Sequence, residues 1–85
     1  MPRVEIYTTA SCPYCIMARA LLRKKGVSFD EIDVAGDEEK RAWLGKITGR
    51  HTVPQIFIAG RPVGGFDDLA ALEAKGELDE LLAGP

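Results

Sequence analysis

Cysteine and histidine are nearly absent from this sequence: its 85 residues hold 2 cysteines, Cys12 and Cys15, and 1 histidine, His51. A secreted mini-protein stapled by disulfides needs more cysteines at wider spacing. A bridge between Cys12 and Cys15 would close too short a loop to restrict the unfolded chain by much. A four-ligand Cys/His zinc site cannot be completed from this set within one chain, so no metal is expected. Long apolar runs are missing too; none approaches the ~20 residues of a membrane-spanning helix. Met1-Pro2-Arg3-Val4-Glu5 offers neither a basic leader nor an apolar signal core, so no membrane partner is expected. The 5 prolines and 9 glycines are scattered, which excludes a low-complexity or collagen-like tract. No period of roughly 20–50 residues recurs, so the chain is not a repeat array. Charge of one sign is lacking: the net charge is −2 and the pI about 5.3, which argues against a nucleic-acid backbone as partner. What remains is ordinary globular composition, 46% hydrophobic and 28% charged, at a length that predicts one domain over 1–85.

Local patterns predict an alternation of strands and helices. Arg3 to Thr8 reads as a strand, with Val4, Ile6 and Tyr7 as strand formers. A helix follows from Pro13, with Ile16, Met17, Ala20 and Leu21 at helical spacing and Arg19, Arg23, Lys24 and Lys25 largely on the other side. Proline is favoured at the first helical position, so Cys12 is expected at the N-cap, and Gly26 ends the helix. Val27 to Val34 reads as a second strand. An acidic helix runs from Asp37 to about Lys46 with Trp43 and Leu44 inward, closed by Ile47-Thr48-Gly49. Gln55 to Ile58 is a short strong strand, Ala59-Gly60 a turn, and Arg61-Pro62-Val63 an edge strand that tolerates its proline. Asp67 or Asp68 is expected to cap a helix carrying Leu69 and Leu72. Gly76 interrupts it before a last turn or two with Leu78, Leu81 and Leu82. The first strand–helix–strand unit should be parallel and right-handed. With a terminal hairpin, that gives a four-stranded mixed sheet with helices on both faces.

The chemistry lies in the C-x-x-C. At helical spacing, residues i and i+3 share a face about 5–6 Å apart, which suits a disulfide. The N-cap position exposes Cys12 to the positive end of the helix dipole and to unpaired backbone N–H groups. Both favour the thiolate, the attacking species. Cys15, one turn inside, is expected to be less exposed and less acidic. The asymmetry assigns attack to Cys12 and resolution to Cys15, and a dithiol beside a strand–helix–strand unit points to redox chemistry rather than metal binding.

Cys12-Pro13-Tyr14-Cys15 resembles the active site of a dithiol glutaredoxin. Thr52-Val53-Pro54 is similar to that family's cis-proline loop, and Gly64-Gly65-Phe66-Asp67-Asp68 to its glycine–glycine–x–aspartate–aspartate loop. The motifs come in the family's order and spacing, and the resemblance covers nearly the whole chain. It implies an α/β thioredoxin fold, glutathione as the reducing co-substrate, and reduction of protein disulfides and glutathione mixed disulfides in the cytoplasm by a monomer. A cis bond at Pro54 would turn the Val53 backbone toward the thiols, where it could pair with an extended peptide such as glutathione. Gly64-Gly65 allows close approach, and the following helix offers N–H groups to a carboxylate. By resemblance this loop, with Gly65, Phe66, Asp67 and Asp68, holds the γ-glutamyl end, Asp67 accepting its ammonium. Tyr14 is expected to pack on the ligand. Phe29 and Phe57 are read as core, like Trp43.

The sequence departs from that pattern at Thr9, where many relatives carry a lysine that steadies the thiolate and grips the glycine carboxylate of glutathione. Arg41 on the second helix is the expected replacement, with His51 a further candidate. Phe66 stands where some relatives have a cysteine. The alternatives are an electron donor reduced by thioredoxin reductase, for instance serving ribonucleotide reductase, and an iron–sulfur carrier sharing a cluster between two chains; Pro13 weighs against the latter.

Overall fold

In the computed structural model of the protein, described over residues 2–84, side-chain alternation along the first strand decides how the sheet is covered. β1 (Val4–Thr8) sends Val4 and Ile6 to one face and Tyr7 to the other, and all three are buried. It lies inside the sheet, parallel to β2 (Asp30–Asp33) and antiparallel to β3 (Gln55–Ile58). β3 pairs antiparallel with β4 (Arg61–Gly64), giving four strands in the order β2-β1-β3-β4. The parallel pair needs a crossover, which α1 (Pro13–Lys24) supplies. The hairpin turns at Ala59 and Gly60, both at positive φ (54° and 77°), the backbone of a tight two-residue connection. The sequence-based element order and mixed sheet are therefore found.

One face carries α1, α3 (Phe66–Ala74) and α4 (Glu77–Ala83), which enclose Val4, Ile6, Ala18, Leu22, Ile56, Ile58, Leu69, Leu78 and Leu82. Full burial of one such Leu or Ile is worth about 1.5–3 kcal/mol. On the other face, Leu44 of α2 (Glu38–Thr48) packs with Tyr7, Val34 and Phe57. Lys25, just past α1, ties its end to Glu73 and Asp79 at 2.6 and 2.9 Å.

Four local expectations need correction. The inward stripe of α1 is Cys15, Ala18 and Leu22, while Ile16 and Met17 are 55% and 46% exposed. β2 is shorter than Val27–Val34, because β1 offers partners only from Glu5↔Asp30 to Thr8↔Asp33. Val27 and Phe29 instead pack on the core from the preceding loop. Trp43 is 45% exposed; its indole stacks on Phe57 at 6.2 Å rather than entering the core. Gly65, not an aspartate, is the N-cap of α3.

Candidate active site

β1 delivers the chain to a short turn, and Pro13 starts α1 immediately after it, so Cys12 falls on the N-cap with an extended backbone. Its Sγ accepts the Cys15 N–H at 3.2 Å, one of the amides left unpaired at a helix start. The Cys12 thiol also lies 3.6 Å from the Val53 carbonyl, to which it donates. Both cysteines are free; Cys12 is partly exposed and Cys15 buried. Burial, and then the hydrogen bond with Cys12, push the Cys15 thiol up to about 11, while the Thr9 amide and the Arg19 charge pull the other way. Cys15 is therefore a thiol near neutrality, and only Cys12 is placed to meet a substrate first.

Beside the thiols lies a cleft of about 270 Å³. α1 contributes Tyr14, whose ring stacks on Phe66 with centroids 6.4 Å apart. The loop before β3 contributes Thr52, Val53 and Pro54, with the Val53–Pro54 bond cis. The turn into α3 contributes Gly65, Asp67 and Asp68. Gln55, fully buried, holds this loop by donating from Nε2 to the Thr52 carbonyl and hydroxyl at 2.9 and 3.4 Å. The sequence-predicted positions are thus gathered into one place, except Arg41. Arg41 donates to the His51 carbonyl at 3.2 Å and borders a small adjoining recess that shares Arg50, Thr52 and Val53 with the cleft.

Arg50 was not singled out in the sequence, yet it lines the cleft and forms an ion pair with Asp68. The second oxygen-bound partner of Asp68 is the Gly65 N–H at 3.0 Å, so the aspartate three residues into α3 reaches back to the cap residue. Arg50, followed by that amide, holds the Asp68 carboxyl below the usual carboxylate range. The legible signal was an aspartate three positions after a glycine pair; nothing in the sequence tied Arg50 to it. Gly64 sits at φ 120°, and a Cβ there would run into the Asp68 carboxylate. Gly64→Ala is accordingly expected to destabilise the fold by about 1–3 kcal/mol, read as a lower urea midpoint. Among the described residues no cluster of 3 or more His, Cys, Asp or Glu could hold a metal ion.

An accessible thiol capping a helix, a buried partner thiol one turn inward and the Val53 carbonyl against the first define a dithiol redox centre, the working part of a thiol–disulfide oxidoreductase. Residues 4–63 match the glutaredoxin family model. The chain is 56% identical over 82 residues to glutaredoxin 3 of Escherichia coli K12, covering 96% of this chain and 99% of that one. It is 58% identical over 83 residues to a glutaredoxin of Pseudomonas aeruginosa, covering 98% and 99%. Its fold superposes on the glutaredoxin of Brucella melitensis with a TM-score of 0.87 at 54% identity, covering 96% of this chain and 89% of that one. A buckwheat glutaredoxin–glutathione complex gives 0.90 at 26% identity, covering 96% and 77%. The chain belongs to the glutaredoxin family, and with it to the thiol–disulfide oxidoreductases of the thioredoxin fold.

Proposed function

We propose that this oxidoreductase takes its electrons from glutathione, with Cys12 as nucleophile and Cys15 as resolving thiol. The observation that carries the reading is the unequal placement of the two sulfurs: one partly exposed on a helix cap beside a cleft, the other buried and held as a thiol. The cleft suits an extended tripeptide. The Thr52–Val53 backbone supports strand-like pairing, and the start of α3 supplies N–H groups for the γ-glutamyl carboxylate. Tyr14 and Phe66 flank the ligand and Asp67 faces its ammonium, while Asp68 holds Arg50 and the Gly65 N–H. Arg50, which lines the cleft and pairs with Asp68, and Arg41, in the adjoining recess, are the cations we assign to the glycine carboxylate of the ligand.

On a glutathionylated protein, the Cys12 thiolate attacks the glutathione sulfur, and the protein leaves as a thiol. A second glutathione then attacks the glutathione sulfur of the Cys12 mixed disulfide, so that Cys12 leaves as a thiolate and oxidised glutathione forms. On a protein disulfide, Cys12 forms the mixed disulfide, and Cys15 then attacks Cys12 Sγ, releasing the reduced protein and leaving a Cys12–Cys15 disulfide that two glutathiones reduce. Each step is thiol–disulfide exchange, set by thiolate fraction, leaving-group acidity and access. Such a dithiol belongs in a reducing compartment, and we place the protein in the cytoplasm as a monomer acting on disulfide-containing or glutathionylated proteins.

The test is to supply electrons in two ways, glutathione with glutathione reductase or thioredoxin reductase alone, and to follow NADPH consumption on a small disulfide. Turnover is expected with glutathione. Turnover with thioredoxin reductase only would replace this reading by the reductase-dependent one.

A further inference from the structure

β3 lies between β1 and β4 and is buried along its whole length, and three of its 4 residues, Ile56, Phe57 and Ile58, are apolar. The remaining one, Gln55, is fully buried as well. A strand covered on both faces ordinarily reads as an unbroken apolar run, and a buried amide lowers stability unless its hydrogen bonds are made. Gln55 makes only part of them. Its Nε2 donates to the Thr52 carbonyl at 2.9 Å and to the Thr52 hydroxyl at 3.4 Å. A carbonyl can only accept, so it fixes which end of the amide faces the loop. Oε1, at the other end, is shut off from solvent and has no hydrogen-bond partner among the described residues. Packing alone gives no reason for this side chain: an apolar residue of similar length would fill the space with no polar atom left over.

What Gln55 holds is the stretch of chain that meets the thiol. Its backbone is set in the sheet opposite Tyr7 of β1, so the amide grips the loop from a rigid element. The Thr52 carbonyl is turned to Gln55, and the next one along, that of Val53, is turned to Cys12 Sγ at 3.6 Å. We infer that Gln55 is a positioning residue for thiol–disulfide exchange: by pinning Thr52, its amide holds the Val53 peptide in the register at which a substrate backbone pairs beside Cys12. This rests on the reading of the cleft as a seat for a glutathione moiety paired along Thr52–Val53. Gln55 does not line the cleft and acts only through the loop. Without its hold, the loop would have to be ordered at each encounter with a peptide-like substrate, and that ordering weakens the encounter. A small reagent that attacks the sulfur without backbone pairing would not meet this cost.

The experiment compares the full-length protein with Gln55→Met, which keeps the side-chain length, and with Gln55→Leu as a second apolar filling. Three quantities are read: the rate constant of the reduced protein with a glutathionylated peptide, the rate of Cys12 alkylation by iodoacetamide, and the urea midpoint. The first is expected to fall about tenfold, the loss that accompanies a slightly misplaced partner, and the second to stay within about twofold of the parent. The midpoint is expected to be no lower than the parent's. Thr52 is exposed, so its freed carbonyl can turn to water, while a half-paired buried amide is removed. Activity and stability therefore part company, which a purely structural glutamine would not allow. A midpoint that drops along with the rates in both variants makes Gln55 a packing residue and overturns the inference. So does an unchanged rate with the glutathionylated peptide, or an equal loss in both rates. If the parent reacts as fast when the same peptide carries mercaptoethanol in place of glutathione, the reading of the cleft itself fails and the role of Gln55 falls with it.

Discussion

Cys12→Ser is expected to abolish turnover of every disulfide substrate, a loss of at least about 10³-fold. The physical reason is that a serine hydroxyl does not ionise in the working pH range and cannot attack sulfur. The fold is expected to survive. Serine is among the best N-cap residues, and its oxygen can accept the Cys15 amide that Cys12 Sγ now accepts at 3.2 Å. Loss of activity with an unchanged thermal midpoint therefore isolates the chemistry. The measurement is steady-state reduction of both a glutathione mixed disulfide and a protein disulfide. Activity retained on either one would remove Cys12 from the nucleophile's role.

Cys15→Ser is expected to split the two reactions. Turnover of glutathione mixed disulfides should stay within about threefold of the parent, whereas protein-disulfide reduction should fall on the order of 10²-fold, since only the latter uses an internal attacking thiol. The raised ionisation of Cys15 adds a stability signature. The thiol ionises more easily in the unfolded chain, near 9.0, than in the folded one, at about 11. Folding therefore favours its protonated form. The contribution is intact below pH 9.0 and is lost as pH climbs toward about 11. Urea midpoints taken across that window should fall more steeply for the parent than for Cys15→Ser.

Much of this was legible because it depends on residue types that leave the backbone little choice. Pro13 after Cys12 placed the helix start, and hence the thiol on the cap. The glycine and proline punctuation placed the hairpin and the turn into α3. What was misread depended on contacts between elements. The helical spacing of Ile16 and Met17 does not mark the inward stripe of α1, which runs through Cys15, Ala18 and Leu22 because Cys15 is core as well as chemistry. The length of β2 is set by where its partner β1 runs, which its own alternation of Val27, Phe29 and Ile32 does not report. Arg50 reached the cleft through a loop, and its pairing with Asp68 spans 18 positions that no periodicity links.

The sheet ends on strands that discourage further pairing. β2 presents exposed Asp30, Glu31 and Asp33 in one short stretch, and β4 has Pro62 in place of a backbone donor. Such margins, acidic on one side and proline-blunted on the other, oppose the stacking of one molecule's sheet on the next. Copies of this small oxidoreductase are thereby kept from adding strand to strand into a continuous sheet.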